Sequence, residues 1–437
     1  MQKDLTKPKP SPELVYLTAS AVQSIIAILP MGTAFSIGVF LIVLLTGRLM
    51  AYQGSLARAV YPVVLPCRWG WHRVERALER GKVNLDGMFD ELLCWCSREL
   101  DLHELRLGML ARKLQAIDTA TVARLRAKGG SCGLLGKSYC QRSGKQVKSN
   151  VVGALVSIVR VKGVRLGLSR RVCVKGSSEA AISDLFSYSH ELEGYSLTLV
   201  DAGIAKKEQF AAASHEHGLL GRLRKNAKLR CAPKPKPPGK RGPHPKHGPV
   251  LHPGYDSPEV APDQELWLMK KGKVIRLRRW QRLHYEGYHR TELDVLRIDD
   301  PDYAEPLLLG TTARELSSLD IYQAYPHRWP IETIFQIGEG LMAFKKPRAW
   351  TDNAITRRIA LSLLGASLAK AIAATGQVIP LGPWDRKPQA TAGRLANHLH
   401  NHLQEFIHLC LIHAPKRNYR QFQQAPPAQL PLLDRAA

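Results

Sequence analysis

Three acids in this 437-residue chain stand where an acid is costly or conspicuous. Asp118 lies inside "KLQAIDTATV" (113–122), a run that reads as a strand. An unpaired charge in a buried strand is expensive, so a lone Asp there needs a reason. Asp201 ends the apolar run of "YSLTLVDAG" (195–203), at the carboxyl end of a strand, the edge where α/β sheets present their ligand sites. Glu332 sits in "YPHRWPIETIF" (325–335), two residues after Pro330, which suits the first turn of a helix. Taken singly, each acid also reads as a cap, a salt bridge or a turn. Gathered together, three carboxylates repel one another unless cations neutralise them. Oxygen ligands suit Mg²⁺, with Mn²⁺ as the alternative. Two such ions about 4 Å apart clamp the attacking and leaving oxygens of a phosphodiester. Asp118, Asp201 and Glu332 are therefore the expected catalytic and metal-ligating residues.

The elements that must position them follow from periodicity. Residues 13–110 read as helical, and 71–100 as a helix, a Gly-containing turn and a second helix, compatible with a helix-turn-helix DNA reader or with plain packed helices. From about 111 the pattern becomes mixed α/β. After the Asp118 strand come 151–161 and 164–174, a hairpin joined by Lys162-Gly163, then the Asp201 strand, a helix at 208–217 and a strand at 218–226. Strands resume at 273–284, 291–298 and 306–312. Ser317 opens a helical patch, and 331–344 and 354–374 are apolar and helix-like.

Charge names the partner class. Lys and Arg outnumber Asp and Glu by 63 to 37, a formal +26, which points to a polyanion such as DNA. No acid occurs between Glu216 and Asp256, and Pro and Gly in 229–254 oppose regular structure. That run reads as a solvated linker or as a mobile arm on DNA phosphates. Residues 1–12 read as disordered. The eight cysteines form no C-x-x-C pair, which argues against zinc and for a reduced, cytoplasmic chain, with Cys94 and Cys96 in the core. His398, His400 and His402 read as a polar helix face. "GGSCGLLGKS" (129–138) has Ser131 where a phosphate-binding loop needs glycine, so ATP binding is rejected. Leu14 to Gly47 carries no charge, but Pro30–Thr33 cut it into pieces too short for a membrane span, and two buried helices are expected.

The segments "AIDTATVAR", "LTLVDAG" with "LLGRLRKNAKLR", and "PLLLGTTARELSSLDIYQAYPHRWPIETIF" resemble bacterial insertion-sequence transposases of the DDE (Asp-Asp-Glu) class with the Tyr-Arg-Glu-Lys signature. Tyr325, Arg328 and Glu332 match its first three positions, and the likeness spans roughly residues 30–370. The resemblance implies an RNase H-like mixed-sheet core with a β-rich insertion between the second Asp and the Glu, and an N-terminal helical domain. The expected division is 1–110 helical and end-binding, 111–230 core, 231–312 basic linker and insertion, 313–375 core again, and 376–437 a helical, His- and Pro-rich tail suited to dimerisation.

The resemblance further implies a cut-and-paste enzyme, nucleoid-associated, acting as a homodimer on transposon inverted-repeat ends and target DNA, with two Mg²⁺ ions and no small-molecule cofactor. Asp118 should bridge both metals, and Asp201 and Glu332 should each hold one. Tyr325 and Arg328 should touch phosphates, with Arg222, Arg224, Lys225, Lys345 and Lys346 also on DNA. The signature lysine belongs at 339, which is Glu339; Lys345 and Lys346 either substitute for it or are surface charges. Pro326 should break the helix carrying Tyr325 and Arg328. A nuclease without strand transfer and a catalytically inactive DNA-binding relic stay open as alternatives. Trp280 and Trp329 read as core or as stacking platforms for a flipped base.

Overall fold

The computed structural model describes residues 13–64, 70–124, 133–140, 144–233, 246–256, 258–377, 379, 385 and 389–411. The leader 1–12, the centre of the basic run (234–245), the first part of 129–138 and the end of the tail (412–437) lie outside the described residues.

Helices α1 (Glu13–Ala27) and α2 (Met31–Leu45) occupy the uncharged stretch, separated at Pro30. α2 is apolar on every side and buried from Phe35 to Leu45, as an all-round hydrophobic helix must be. Its 15 residues span about 22 Å, short of a bilayer's ~30 Å hydrocarbon core. No helix among the described residues is long and apolar enough to cross a membrane. Next come α3 (Arg48–Ala51), α4 (Leu56–Val64), α5 (His72–Arg80) and α6 (Leu85–Glu99). α5 and α6 form the expected pair, with Asn84 capping α6 through Gly87 N–H. Both turn their apolar faces into the core. Cys96 is buried there, but Cys94, two residues away on the helix, faces solvent.

Strands β1 (Leu102–Glu104), β2 (Arg106–Leu107), β3 (Arg112–Ala123), β4 (Gly136–Cys140), β5 (Lys145–Val161) and β6 (Val164–Lys175) follow. Lys162 and Gly163 both take positive φ (45° and 79°), the backbone a two-residue hairpin loop requires. Then come α7 (Ser178–Glu191), β7 (Ser196–Val200), α8 (Lys207–Ala212) and β8 (His217–Leu223). The helix expected at 208–217 thus stops at Ala212. Ser214 Oγ accepts from the His217 N–H and turns the chain into β8. β9 (Leu229–Arg230) and β10 (Val250–Leu251) pair as a short ribbon. β11 (Gln264–Lys270), β12 (Lys273–Leu283), β13 (Leu293–Asp299) and β14 (Leu307–Thr311) extend the main sheet. The chain ends in α9 (Ser318–Ala324), a 3-10 turn (Tyr325–Arg328), α10 (Pro330–Gly340), α11 (Asp352–Ala373), α12 (Ala392–Asn401) and α13 (Leu403–Leu411).

The fold is α/β, with one mixed sheet whose order includes β1-β5-β3-β7-β8-β14-β13-β12-β11 and with β6 also paired to β5. β3, β7 and β8 run parallel; β5 is antiparallel to β3, and β14 to β8. Leu114 and Ala116 of β3, Leu197 and Leu199 of β7 and Leu220 of β8 enter a large core shared with α1, α2, α6 and α11. Ile117, Val200 and Leu219 enter a smaller core on the opposite face, beneath α7. The tail is helical over α12 and α13 and contributes to the large core, burying Leu395, Leu399, Phe406 and Ile407. His398 shares that buried face while His400 is exposed, because a 3.6-residue repeat separates the two.

Candidate active site

Alternation along the strands decides where the acids go. Asp118 lies two residues beyond Ala116, and Asp201 two beyond Leu199, so both project on the face of the large core. β3 and β7 pair Ala116 with Leu199. The same register carried two residues further sets Asp118 beside Asp201. β7 and β8 pair Val200 with Gly221, which sets Asp201 beside Arg222. Sequence distance has become a row across three parallel strands.

Glu332 arrives from above that face. Ser317 caps α9 reciprocally with Asp320, fixing where the helical segment starts. Pro326 does not turn the chain away. It shifts one turn to 3-10 geometry, and Pro330 starts α10 at once, so the backbone stays helical from Ser318 to Gly340. Glu332 falls in the first turn of α10, where the helix dipole favours a carboxylate. α10 lies close on β6: a Cβ on Gly167 would come within 3.3 Å of Pro330 Cβ.

Arg328 ties the group together. Its Nη2 donates to Glu332 Oε1 at 2.5 Å, and its Nη1 reaches Asp118 Oδ2 at 3.5 Å. The side chain is 7% exposed, and its Nε has no hydrogen-bond partner among the described residues. Tyr325 O–H points to Asp201 Oδ1 at 3.5 Å. Asp118 Oδ1 accepts from the Thr119 N–H at 2.7 Å. Burial raises the Asp118 carboxyl above the usual range, the charges of Asp201 and Glu332 push the same way, and the Thr119 N–H and Arg328 oppose. Burial also raises the Tyr325 phenol. Arg328 is penalised by burial, but its bond to Glu332 and the charges around it hold its pKa above the ordinary value.

Five expected site residues therefore meet: Asp118, Asp201, Glu332, Tyr325 and Arg328. Arg222 adjoins them through the field it exerts on Tyr325. The other expected DNA contacts lie elsewhere. Arg224 is exposed beyond β8, Lys225 pairs with Glu305 at 3.3 Å, and Lys346 reaches the side chain of Gln53. Lys345 is 2.6 Å from Glu339, so its ammonium lies against the carboxylate at the position expected to hold a lysine. Trp280 is core, its N–H donating to Val260 O at 2.9 Å. Trp329 is exposed beside the Arg328 guanidinium, 5.5 Å from its ring centroid.

Sequence reasoning missed Arg160 and Arg165. They stand directly opposite each other on the β5–β6 hairpin, a like-charge pairing that destabilises a sheet unless an anion answers it. Arg165 Nη1 lies 2.6 Å from His327 Nδ1. Burial, then Arg165 and Arg160, hold His327 down to about 4. The signal was readable in "RVKGVR", two arginines symmetric about the hairpin turn.

Among the described residues, no three His, Cys, Asp or Glu side chains are drawn together as a ready metal cage. The cation between Asp118 and Glu332 is the guanidinium of Arg328. The chain matches no protein-family model and none of the curated proteins compared with it.

Proposed function

We propose that this chain is a metal-dependent DNA transposase of the DDE class, cutting and joining strands at the ends of a mobile element. The observation that carries the reading is the row of Asp118 and Asp201 across β3 and β7, with Glu332 brought to the same face by α10. The order β6-β5-β3-β7-β8, with only β3, β7 and β8 parallel, agrees with an RNase H-like core. In the same reading β10–β14 belong to the insertion and two copies of the chain pair two DNA ends.

The donors fit a hard divalent cation: three carboxylates, with a positive group already drawn between two of them. Asp118, Asp201 and Glu332 would hold Mg²⁺ or Mn²⁺, which when bound polarises the phosphodiester and makes the attacking hydroxyl more acidic. The remaining work belongs to the chain's own groups. Arg328 neutralises the carboxylates in the DNA-free protein and turns to a phosphate oxygen when the strand enters. Tyr325 orients Asp201 through its hydroxyl. Arg222 presents positive charge to the backbone phosphates beside the acids, and Arg165 and Arg160 do so further along, at the end of the β5–β6 hairpin.

The test uses the full chain, Mg²⁺ and labelled DNA carrying the inverted repeats that flank its gene. Nicked ends followed by joined products are expected. Cut ends without joined products favour a nuclease of the same fold, and binding without any cut favours the inactive relic. Asp118→Asn should bind the DNA and leave it intact; cleavage at the wild-type rate would overturn the reading.

A further inference from the structure

A cleft of about 630 Å³ opens at the far end of β3, between the α3–α4 turn and the segment that follows α10. Five of its lining residues are cationic and one, Glu75, is acidic. Two of its walls are indoles: Trp71, 37% exposed, and Trp350, 63% exposed. Neither ring belongs to the buried core, so both are open to water at the mouth of a basic cleft.

The segment carrying Trp350 is held firmly. Arg358 Nη1 donates to Pro347 O at 2.9 Å and Arg348 O at 3.1 Å. Arg124 Nη2 donates to Ala349 O at 2.5 Å. A Cβ on Gly54 would lie 2.1 Å from Lys346 O, so the α3–α4 turn meets this segment backbone to backbone. Arg348 is held at a positive φ of 25°, a strained backbone that packing must impose. Arg358, only 3% exposed, lines the cleft; its Nη2 lies 3.7 Å from Glu75, and its Nε has no acceptor among the described residues. Burial lowers its pKa to about 10, so it remains a cation at neutral pH.

We propose that this cleft is a subsite for an unpaired nucleotide of the DNA strand, its base on Trp350 and Trp71 and its phosphates on Arg348, Lys345 and Arg358. The proposal rests on the DNA-processing reading of the acids and adds a second point of hold. A duplex keeps its base faces stacked inside, so only an unpaired base offers a face to an indole. Asp118 and Ala123 are five residues apart on β3, about 17 Å at a strand's rise. The cleft thus grips the strand a few nucleotides from the acids.

The experiment measures binding of a labelled 20-nucleotide poly-dT strand and of a blunt 20-base-pair duplex to the full chain in EDTA, where no cleavage occurs. Trp350→Ala should weaken single-strand binding about tenfold and leave duplex binding unchanged, and Trp350→Phe should restore most of the loss. Arg348→Gln should lower the salt slope of single-strand binding by about one. Unchanged single-strand affinity in Trp350→Ala, or an equal loss for the duplex, overturns the subsite and leaves the active-site reading standing. A wild-type chain that binds neither DNA overturns both.

Discussion

Arg328 and Glu332 are one helical turn apart and joined at 2.5 Å, and the same guanidinium reaches Asp118 across 210 residues of sequence. A buried cation thus occupies the space between two of the three acids. In Arg328→Met the acids lose that partner. The DNA-free variant should be less stable by about 3 kcal/mol, the usual cost of breaking a buried pair. Mn²⁺ should recover the loss and bind at least about tenfold tighter than to wild type, since a charged competitor is gone. Calorimetric Mn²⁺ titration and thermal melts check this, and an unchanged Mn²⁺ affinity would show that the arginine does not hold the cation position.

Asp118 has a folded-state pKa raised above its unfolded value, chiefly by burial. Its favourable contribution is therefore present below the unfolded pKa and is lost as pH rises through the folded pKa. At neutral pH the ionised group is a burden on the fold. Asp118→Asn should melt at a temperature equal to or above wild type in EDTA at pH 7, with the advantage vanishing as pH falls into the ordinary aspartate range. Mg²⁺ should raise the Tm of wild type and leave that of the variant unmoved. A variant clearly less stable than wild type at pH 7 would mean that the Thr119 and Arg328 contacts outweigh burial.

Gly167 sets the height of α10 above the sheet, its Cβ position falling 3.3 Å from Pro330 Cβ and 3.4 Å from Pro330 O. Gly167→Val should cost about 1–3 kcal/mol through overpacking. It should also slow single-turnover cleavage by about a hundredfold, because the carboxylate two residues beyond Pro330 moves with the helix. Loss of stability with an unchanged cleavage rate would separate α10 from the chemistry.

Glu339 holds Lys345 by an exposed ion pair at 2.6 Å. Exposed pairs contribute little to stability, so Glu339→Lys should leave Tm nearly unchanged. It frees one lysine and adds another on the face that carries Glu332. The slope of DNA affinity against salt should steepen by about one to two. An unaltered slope would place this end of α10 away from the DNA.

How much of this was legible beforehand depended on whether a signal was local. The β5–β6 hairpin announced itself through Lys162-Gly163, and α9 through Ser317 and Asp320, because each is set within a few residues. Asp118 stood out as a charge inside an apolar strand, and the register that brings it beside Asp201 follows from parallel pairing. Other features had no local mark. β11 is almost wholly exposed, so its alternation carries no burial signal. Pro326 looked like a helix breaker, yet a 3-10 turn absorbs it because α10 restarts at Pro330. The cleft of Trp71, Arg124 and Trp350 is assembled from three distant segments, and only their packing reveals it.

The helical layer also bears on synthesis. Gln23 in α1 donates to Leu409 O in α13 at 2.6 Å, 386 residues away. Part of the apolar side of α1 therefore waits, during synthesis, for a helix made 386 residues later. Until then α2 presents an oily surface that invites aggregation or chaperone capture. A premature stop codon ahead of α13 would yield a chain with every acid in place and no closed hydrophobic shell around it.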